Sequence, residues 1–481
     1  MQSSVETRRL FSPRNVGLVG LVAIVTLVFV ALIPAALVSE DALTFIVVAA
    51  GFAVAVAATL GISQANGFRS DRVFFAVILT IWLFLLISEG VFVHLGSTSS
   101  AEAGGFGAGA YQQLAAWLLS FAALLLITLK HPQYMFEMFS GSYKWLSLFV
   151  VVTLISVPIS VAPKYSLAWV FKLMLVVLLL RAIGSCITSR EDVVRVFQVL
   201  LIGITGVAVC RFATPFFQPG PVFKSGRMES IASLSGYGGV LLVLVLMNWR
   251  FKKNPLLFAI AAFSVVMMAL AGGKAGILAS VVALIVFFLS VKGARQALAA
   301  LLVLCFIFSI FVAFTPLGSY LQRYNQSGQA STLTGRVDLW KTIWPEIVSR
   351  PIMGHGYQAS RFLSAEVPGV FAEAGQTHNS LLEPLYNNGI LGLMLIVIMN
   401  VVIVRNLFAA MKNRSDKTVR FLAAGSFAIY ANLFVWGMFT AGPFGGQPNS
   451  PFIVFLTIFI VSCFLKKSTT LLHSEVVHAA P

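Results

Sequence analysis

The sequence predicts an all-α polytopic membrane protein, and three observations carry that prediction. Of its 481 residues, 58% are apolar and only 10% are charged, against roughly 45 to 50% and about a quarter in a soluble domain. A mean hydropathy of +0.92 is more than a water-solvated fold can hide in a core, so much of the surface needs lipid as its solvent. Long uncharged runs recur along the chain, with cations gathered in alternate gaps between them. That distribution is membrane topology rather than a nucleic-acid footprint, so no nucleic-acid partner is expected despite a net charge of +16.

A bilayer core of about 30 Å takes roughly 20 apolar residues at about 1.5 Å each. Fourteen runs answer to that length: 16–38, 44–63, 73–95, 112–129, 145–163, 166–187, 196–212, 235–249, 256–273, 275–291, 297–315, 389–404, 420–440 and 450–465. The expected count is 12 to 14 transmembrane helices. Arg8, Arg9 and Arg14 precede the first run as in a signal peptide. That run is longer than the usual apolar region of about 7 to 15 residues and lacks a small-residue cleavage site, so it reads as a retained span.

With the amino terminus in the cytoplasm, Arg69/Arg72, Lys130/Lys144, Arg181/Arg190/Arg195, Arg250/Lys252/Lys253, Lys292/Arg295, Arg405 to Arg420 and Lys466/Lys467 all fall inside. Both termini are then cytoplasmic. The chain divides into an N-terminal transmembrane bundle of about eleven helices (1–315), a long outer loop (316–388), and C-terminal helices with a cytoplasmic tail (389–481). Cys186, Cys210, Cys305 and Cys463 all lie in apolar runs without metal-ligand spacing, and there is no D-x-D. Neither a disulfide framework nor a metal site is expected, and no cofactor is implied.

Loops beyond about 12 to 15 residues are uncommon unless functional, which directs attention to 316–388. Residues 335–350 (GRVDLWKTIWPEIVSR) repeat apolar side chains at helical spacing through Val337, Leu339/Trp340, Ile343/Trp344 and Ile347/Val348. The segment reads as an amphipathic helix on the membrane surface or over the bundle, capped by Thr334 and stopped by Pro351, Gly354 and Gly356. Arg336 breaks the pattern, because a cation in the first turn opposes the helix dipole. An anion bound there would meet both free amides and a guanidinium, as phosphate requires. Snorkelling to lipid headgroups accounts for the same residue equally well.

A second element follows at 375–392 (GQTHNSLLEPLYNNGILG), with Thr377 or Asn379 as cap and a break at Asn387, Asn388 and Gly389 before the next span. His378 sits at its start, near several arginines where an imidazole stays neutral and able to accept a proton. A structural role is open to it as well, and His355, between two glycines, reads as structural. Lys274, at the junction of two spans in AlaGlyGlyLysAlaGly, would join a cationic ring around a diphosphate or snorkel. Lys172 and Glu89, within spans, would pair or line a cavity.

These residues resemble a known family, the bacterial O-antigen ligases and Wzy-type polysaccharide polymerases. The resemblance is clearest over 330–395: ThrGlyArg336 leading to a Trp, Pro351-x-x-Gly354-x-Gly356, His378-Asn379 and Asn388-Gly389. Arg227 followed by Gly238, and His378 followed by Gly389, resemble the family's R-x10-G and H-x10-G patterns in outer loops. Gly273-Lys274-Ala275 departs from the family's Ser-Arg-Gly-like turn, and fourteen spans exceed the usual dozen.

The resemblance implies a GT-C-like glycosyltransferase of the bacterial inner membrane, acting at its periplasmic face on an undecaprenyl-diphosphate-linked glycan. The acceptor would be another glycan in exopolysaccharide or O-antigen polymerisation, or lipid A-core in lipopolysaccharide ligation. By the same resemblance His378 is the base, while Arg227 and Arg336, joined by Lys274 and Arg211, bind the diphosphate in a metal-independent inverting transfer. A flippase and a chain-length regulator would accompany it. The alternative, a transporter or flippase of the lipid-linked oligosaccharide, would place its decisive charges at mid-membrane on broken helices with repeat symmetry.

Overall fold

The computed structural model describes residues 75–83, 85–86, 117, 120, 141–217, 234–292, 335–363, 367, 375–413, 416–446 and 448–478. All regular structure among them is helical. In chain order the helices are α1 Lys144–Ile155, α2 Pro163–Cys186, α3 Arg190–Phe217, α4 Leu234–Phe251 and α5 Pro255–Ala271. They continue with α6 Lys274–Lys292, α7 Arg336–Ser349, α8 Leu382–Lys412, α9 Lys417–Gly437 and α10 Ser450–His478. Eight segments of the described residues are long and apolar enough to cross a membrane: α2, α4, α8 and α9, most of α3, α6 and α10, and α1 with its flanking turns. The span expected at 256–273 appears as α5, 17 residues of apolar helix, near the short limit of about 17 for a crossing. The runs expected at 16–38, 44–63 and 297–315, most of 73–95, and 112–129 apart from residues 117 and 120 lie outside the described residues, as do Arg227 and Glu89.

The chain forms two compact units, one of Met1–Phe136 with Leu178–Cys210, the other of Glu137–Val177 with Arg211–Pro481. In the first unit α3 opens on a capping box: Asp192 Oδ2 accepts from Ser189 N at 3.0 Å, and Ser189 Oγ accepts from Asp192 N at 3.3 Å. Gly203 lets Leu83 and Leu86 pack directly against the α3 backbone.

The second unit carries Arg336, His378 and Glu383. Its helices begin and end where the sequence supplies caps. Asn254 Oδ1 accepts from Leu256 N ahead of Pro255 at the start of α5, and Gly272, at φ 59°, ends that helix. Asp416 Oδ1 holds the first amides of α9, Thr418 N at 2.9 Å and Val419 N at 3.0 Å. Helices α4, α6 and α9 pack on one another, and small residues set how closely: a side chain on Gly276 would meet Ser235 and Gly236, and one on Gly239 would meet Ser280 and Asn432. Trp436 covers Gly236 in the same way.

Helix α8 is 31 residues long but is broken at Gly389, whose φ 62° and ψ −160° leave the helical region. Unbroken, 31 residues would run about 46 Å, well beyond a bilayer core. The break releases carbonyls that would otherwise be engaged within the helix. Tyr386 O and Asn387 O accept from His355 N (2.9 Å) and Gly356 N (2.8 Å), and Ile390 N donates to Pro351 O (2.8 Å). The turn after α7 is thereby bonded to the start of the span, and the break falls at Gly389 as the sequence predicts.

Candidate functional site

Helix α7 packs through Leu339, Ile343 and Ile347, all buried with Leu363, Val367 and Tyr386. The apolar stripe expected from sequence is therefore split. Trp344 is 53% exposed and Val348 58%, because they stand about 100° or more around the helix from Ile343. The N-cap is also different: Gly335, at φ 78°, precedes Arg336 with no side-chain cap. Thr334 lies outside the described residues. A left-handed glycine turns the chain sharply into the helix and leaves Arg336 as its first residue.

One turn further on, Trp340 Nε1 donates to Thr377 O at 2.9 Å and ties α7 to the His378 segment. That segment is fixed from both sides. Thr377 N and Thr377 Oγ1 donate to Glu383 Oε2 at 2.9 and 2.8 Å, and the other oxygen of this fully buried carboxylate takes the Ser360 hydroxyl and Asn387 Nδ2. Asn379, rather than Thr377, caps the helix, with Oδ1 accepting from Leu381 N at 2.8 Å and Leu382 N at 3.2 Å. Ser380 N donates to Gly437 O at 2.8 Å and Ser380 Oγ to Thr440 O at 2.7 Å, docking the segment on the end of α9.

His378 is held between these anchors at φ 53°, in the left-handed region that few non-glycine residues occupy. Such conformations persist only where the surroundings enforce them, and they concentrate at functional sites. The ring is partly buried, and Gln376 Nε2 lies 3.4 Å from its Nδ1. Burial, and secondarily the nearby Arg336 guanidinium, lower its pKa from 6.5 to about 4. The imidazole is therefore neutral at physiological pH. Arg336 and His378, 42 positions apart, have been brought into one electrostatic environment.

Arg211 and Lys274 stand at the same end of this unit. The Arg211 guanidinium lies 5.8 Å over the Tyr237 ring, and Tyr237 meets Trp436 edge-on at 5.3 Å, next to the Gly437 carbonyl that holds Ser380. Lys274 opens α6 two residues before Gly276, which abuts Ser235 and Gly236 beneath that tryptophan. His355 is structural: it stacks on Tyr386 at 4.5 Å, with Nε2 2.9 Å from Glu346 O. Lys172, 5% exposed in α2, rests on the Trp169 face at 4.1 Å.

A bundle of membrane-length helices with a cation and a strained, neutral histidine fixed above one end defines a multi-pass membrane protein with a built polar site. Residues 259–397 match the family model for O-antigen ligase. The match runs from α5 through α6, α7 and the His378 segment into α8, and includes Lys274, Arg336 and His378. It supports an O-antigen ligase-family assignment and, with it, a membrane enzyme of O-antigen or polysaccharide assembly. No curated protein matches the chain.

Proposed function

We propose that this protein is an inner-membrane glycosyltransferase that transfers glycan from an undecaprenyl-diphosphate carrier at the periplasmic face, as a polysaccharide polymerase or an O-antigen ligase. In this reading it has 12 to 14 spans in a GT-C-like arrangement, both termini in the cytoplasm, and a flippase and a chain-length regulator as partners. The observation that carries the proposal is the pairing of His378 and Arg336: a base kept neutral, beside a cation fit for a phosphate oxygen.

The chemistry follows from that pairing. An acceptor hydroxyl attacks the anomeric carbon from the face opposite the diphosphate. As the new C–O bond forms, the hydroxyl proton passes to His378, and the old C–O bond leaves its electron pair on the diphosphate. The Gln376 amide at Nδ1 selects the tautomer, and with it the ring nitrogen that takes the proton. Arg336 and Arg227, with Lys274 and Arg211, stabilise the departing charge, which needs no metal in this scheme.

A pKa near 4 makes His378 a weak base in the free enzyme. Donor binding offsets the smaller of the two causes, because a diphosphate on Arg336 neutralises the charge that adds to burial in depressing the imidazole. The base would thus gain strength when the leaving group is in place.

The test is transfer by the full chain reconstituted in liposomes with undecaprenyl-diphosphate-linked repeat units in EDTA. A ladder of longer glycans supports a polymerase, and one addition to lipid A-core supports a ligase. Movement of the lipid across the bilayer without any new glycosidic bond would overturn the proposal.

A further inference from the structure

At the end of the second unit away from His378, three helices converge on a pocket of about 340 Å³. Arg250 and Phe251 close α4, Ser290 and Val291 come from the last turn of α6, and Lys417, Thr418, Arg420 and Phe421 come from the start of α9. Helix α9 separates this pocket from the Ser380 docking point by 21 residues, about 30 Å of rise, so the two sites are distinct. The floor is aromatic, with Phe421 edge-on to Phe251 at 5.8 Å and to Phe287 at 5.9 Å.

Arg250, Lys417 and Arg420 are exposed at its rim, and none of them forms an ion pair among the described residues. Asp416, next to Lys417 in the chain, holds the first amides of α9 through Oδ1. Three like charges around one concavity repel one another unless an anion sits between them. A guanidinium pair with an ammonium suits tetrahedral oxygens better than a single carboxylate, and the phenylalanine floor suits an apolar group beneath them.

We infer that this pocket is a binding site for a phosphate group, supplied either by an anionic phospholipid headgroup or by a soluble phosphate or diphosphate. The site would stand apart from transfer chemistry, and the inference does not rest on the glycosyltransferase reading.

The full chain in detergent is titrated with short-chain phosphatidylglycerol, with phosphatidylcholine as the zwitterionic counterpart of no net charge, and with inorganic phosphate and diphosphate, binding being read by native mass spectrometry. Wild type should show one saturable site, weakened about tenfold or more in Arg250→Gln/Arg420→Gln, as loss of charge-assisted contacts implies. The site should survive in Lys252→Gln/Lys253→Gln, which removes equal charge from neighbouring residues that do not line the pocket. Lys417→Gln, one exposed substitution, repeats the test if the double variant fails to accumulate. Saturation by phosphatidylglycerol alone identifies a lipid headgroup, and competition by free phosphate or diphosphate identifies a soluble ligand. The inference is overturned if no probe saturates, or if both double variants weaken binding equally.

Discussion

The amide and hydroxyl of Thr377 both donate to a single carboxylate oxygen of Glu383, at 2.9 and 2.8 Å. His378 is the next residue, so the carboxylate fixes the backbone from which the imidazole projects. Replacing Glu383 with Ala leaves the Thr377 amide and the Ser360 hydroxyl buried without this acceptor, at about 1–3 kcal/mol each, while Thr377 Oγ1 keeps Asn379 O at 3.0 Å. Glu383→Ala should lose about 3 kcal/mol or more of stability in mixed micelles, and Glu383→Gln, which keeps one acceptor oxygen, should lose less. Unfolding monitored against denaturant checks both.

The left-handed backbone at 378 decides which substitutions isolate the chemistry. Asn and Gly accept positive φ, whereas a β-branched residue does not. His378→Asn and His378→Gly should keep a thermal midpoint near wild type while transfer falls by about 10²- to 10⁴-fold, the usual contribution of a general base. His378→Val should also lose about 1–3 kcal/mol of stability through strain. Equal stability of all three would show that the φ of 53° is not enforced.

The lowered pKa of His378 sets a pH dependence with a defined sign. Since kcat/KM reports the free enzyme, its acid limb should lie near pH 4 rather than near 6.5. Arg336→Gln removes a positive neighbour and should move that limb upward, though burial keeps it below 6.5. Between about 4 and 6.5 the unfolded chain binds more protons at this position than the folded one. The stability linked to His378 is therefore complete above 6.5 and declines as the pH falls toward 4. The activity profile of the two proteins, normalised to each maximum, tests the assignment.

Gly389 and Gly354 face each other where the turn after α7 meets the broken start of α8. A Cβ on Gly354 would come within 2.6 Å of Gly389 N, and one on Gly389 would overlap the Ile352 carbonyl. Each also has positive φ, 66° and 62°. Gly389→Ala should cost about 1–3 kcal/mol from backbone conformation before any overlap is counted. Faster hydrogen exchange at the His355 and Gly356 amides, which bond across this contact, would report the release of the turn.

Much of this architecture was legible in the sequence. Hydropathy located the described spans because lipid imposes length and composition directly, and Asn387–Asn388–Gly389 announced the break in α8. Helical periodicity found α7 but overstated its buried face, since it cannot say which half of a wide apolar stripe meets protein. His378 and Arg336 were legible as candidates, and a neutral imidazole near arginines was expected, yet the contact that ties their two segments was not, because it depends on Trp340 reaching Thr377 across 37 positions. The anchoring by Ser380 on Gly437 and Thr440 left no trace in local pattern. Glu383 did leave one: a carboxylate at the mouth of a span is costly unless several donors meet it.

The most direct measurement is transfer from an undecaprenyl-diphosphate-linked repeat unit by reconstituted protein in EDTA, comparing wild type with His378→Asn, Arg336→Gln and Arg227→Gln at matched thermal stability. The account predicts that wild type forms the glycosidic bond with inversion at the anomeric carbon. His378→Asn should lose that activity without losing donor binding, while both arginine variants should bind the diphosphate more weakly and turn over more slowly. Wild-type-like transfer by His378→Asn would contradict the account.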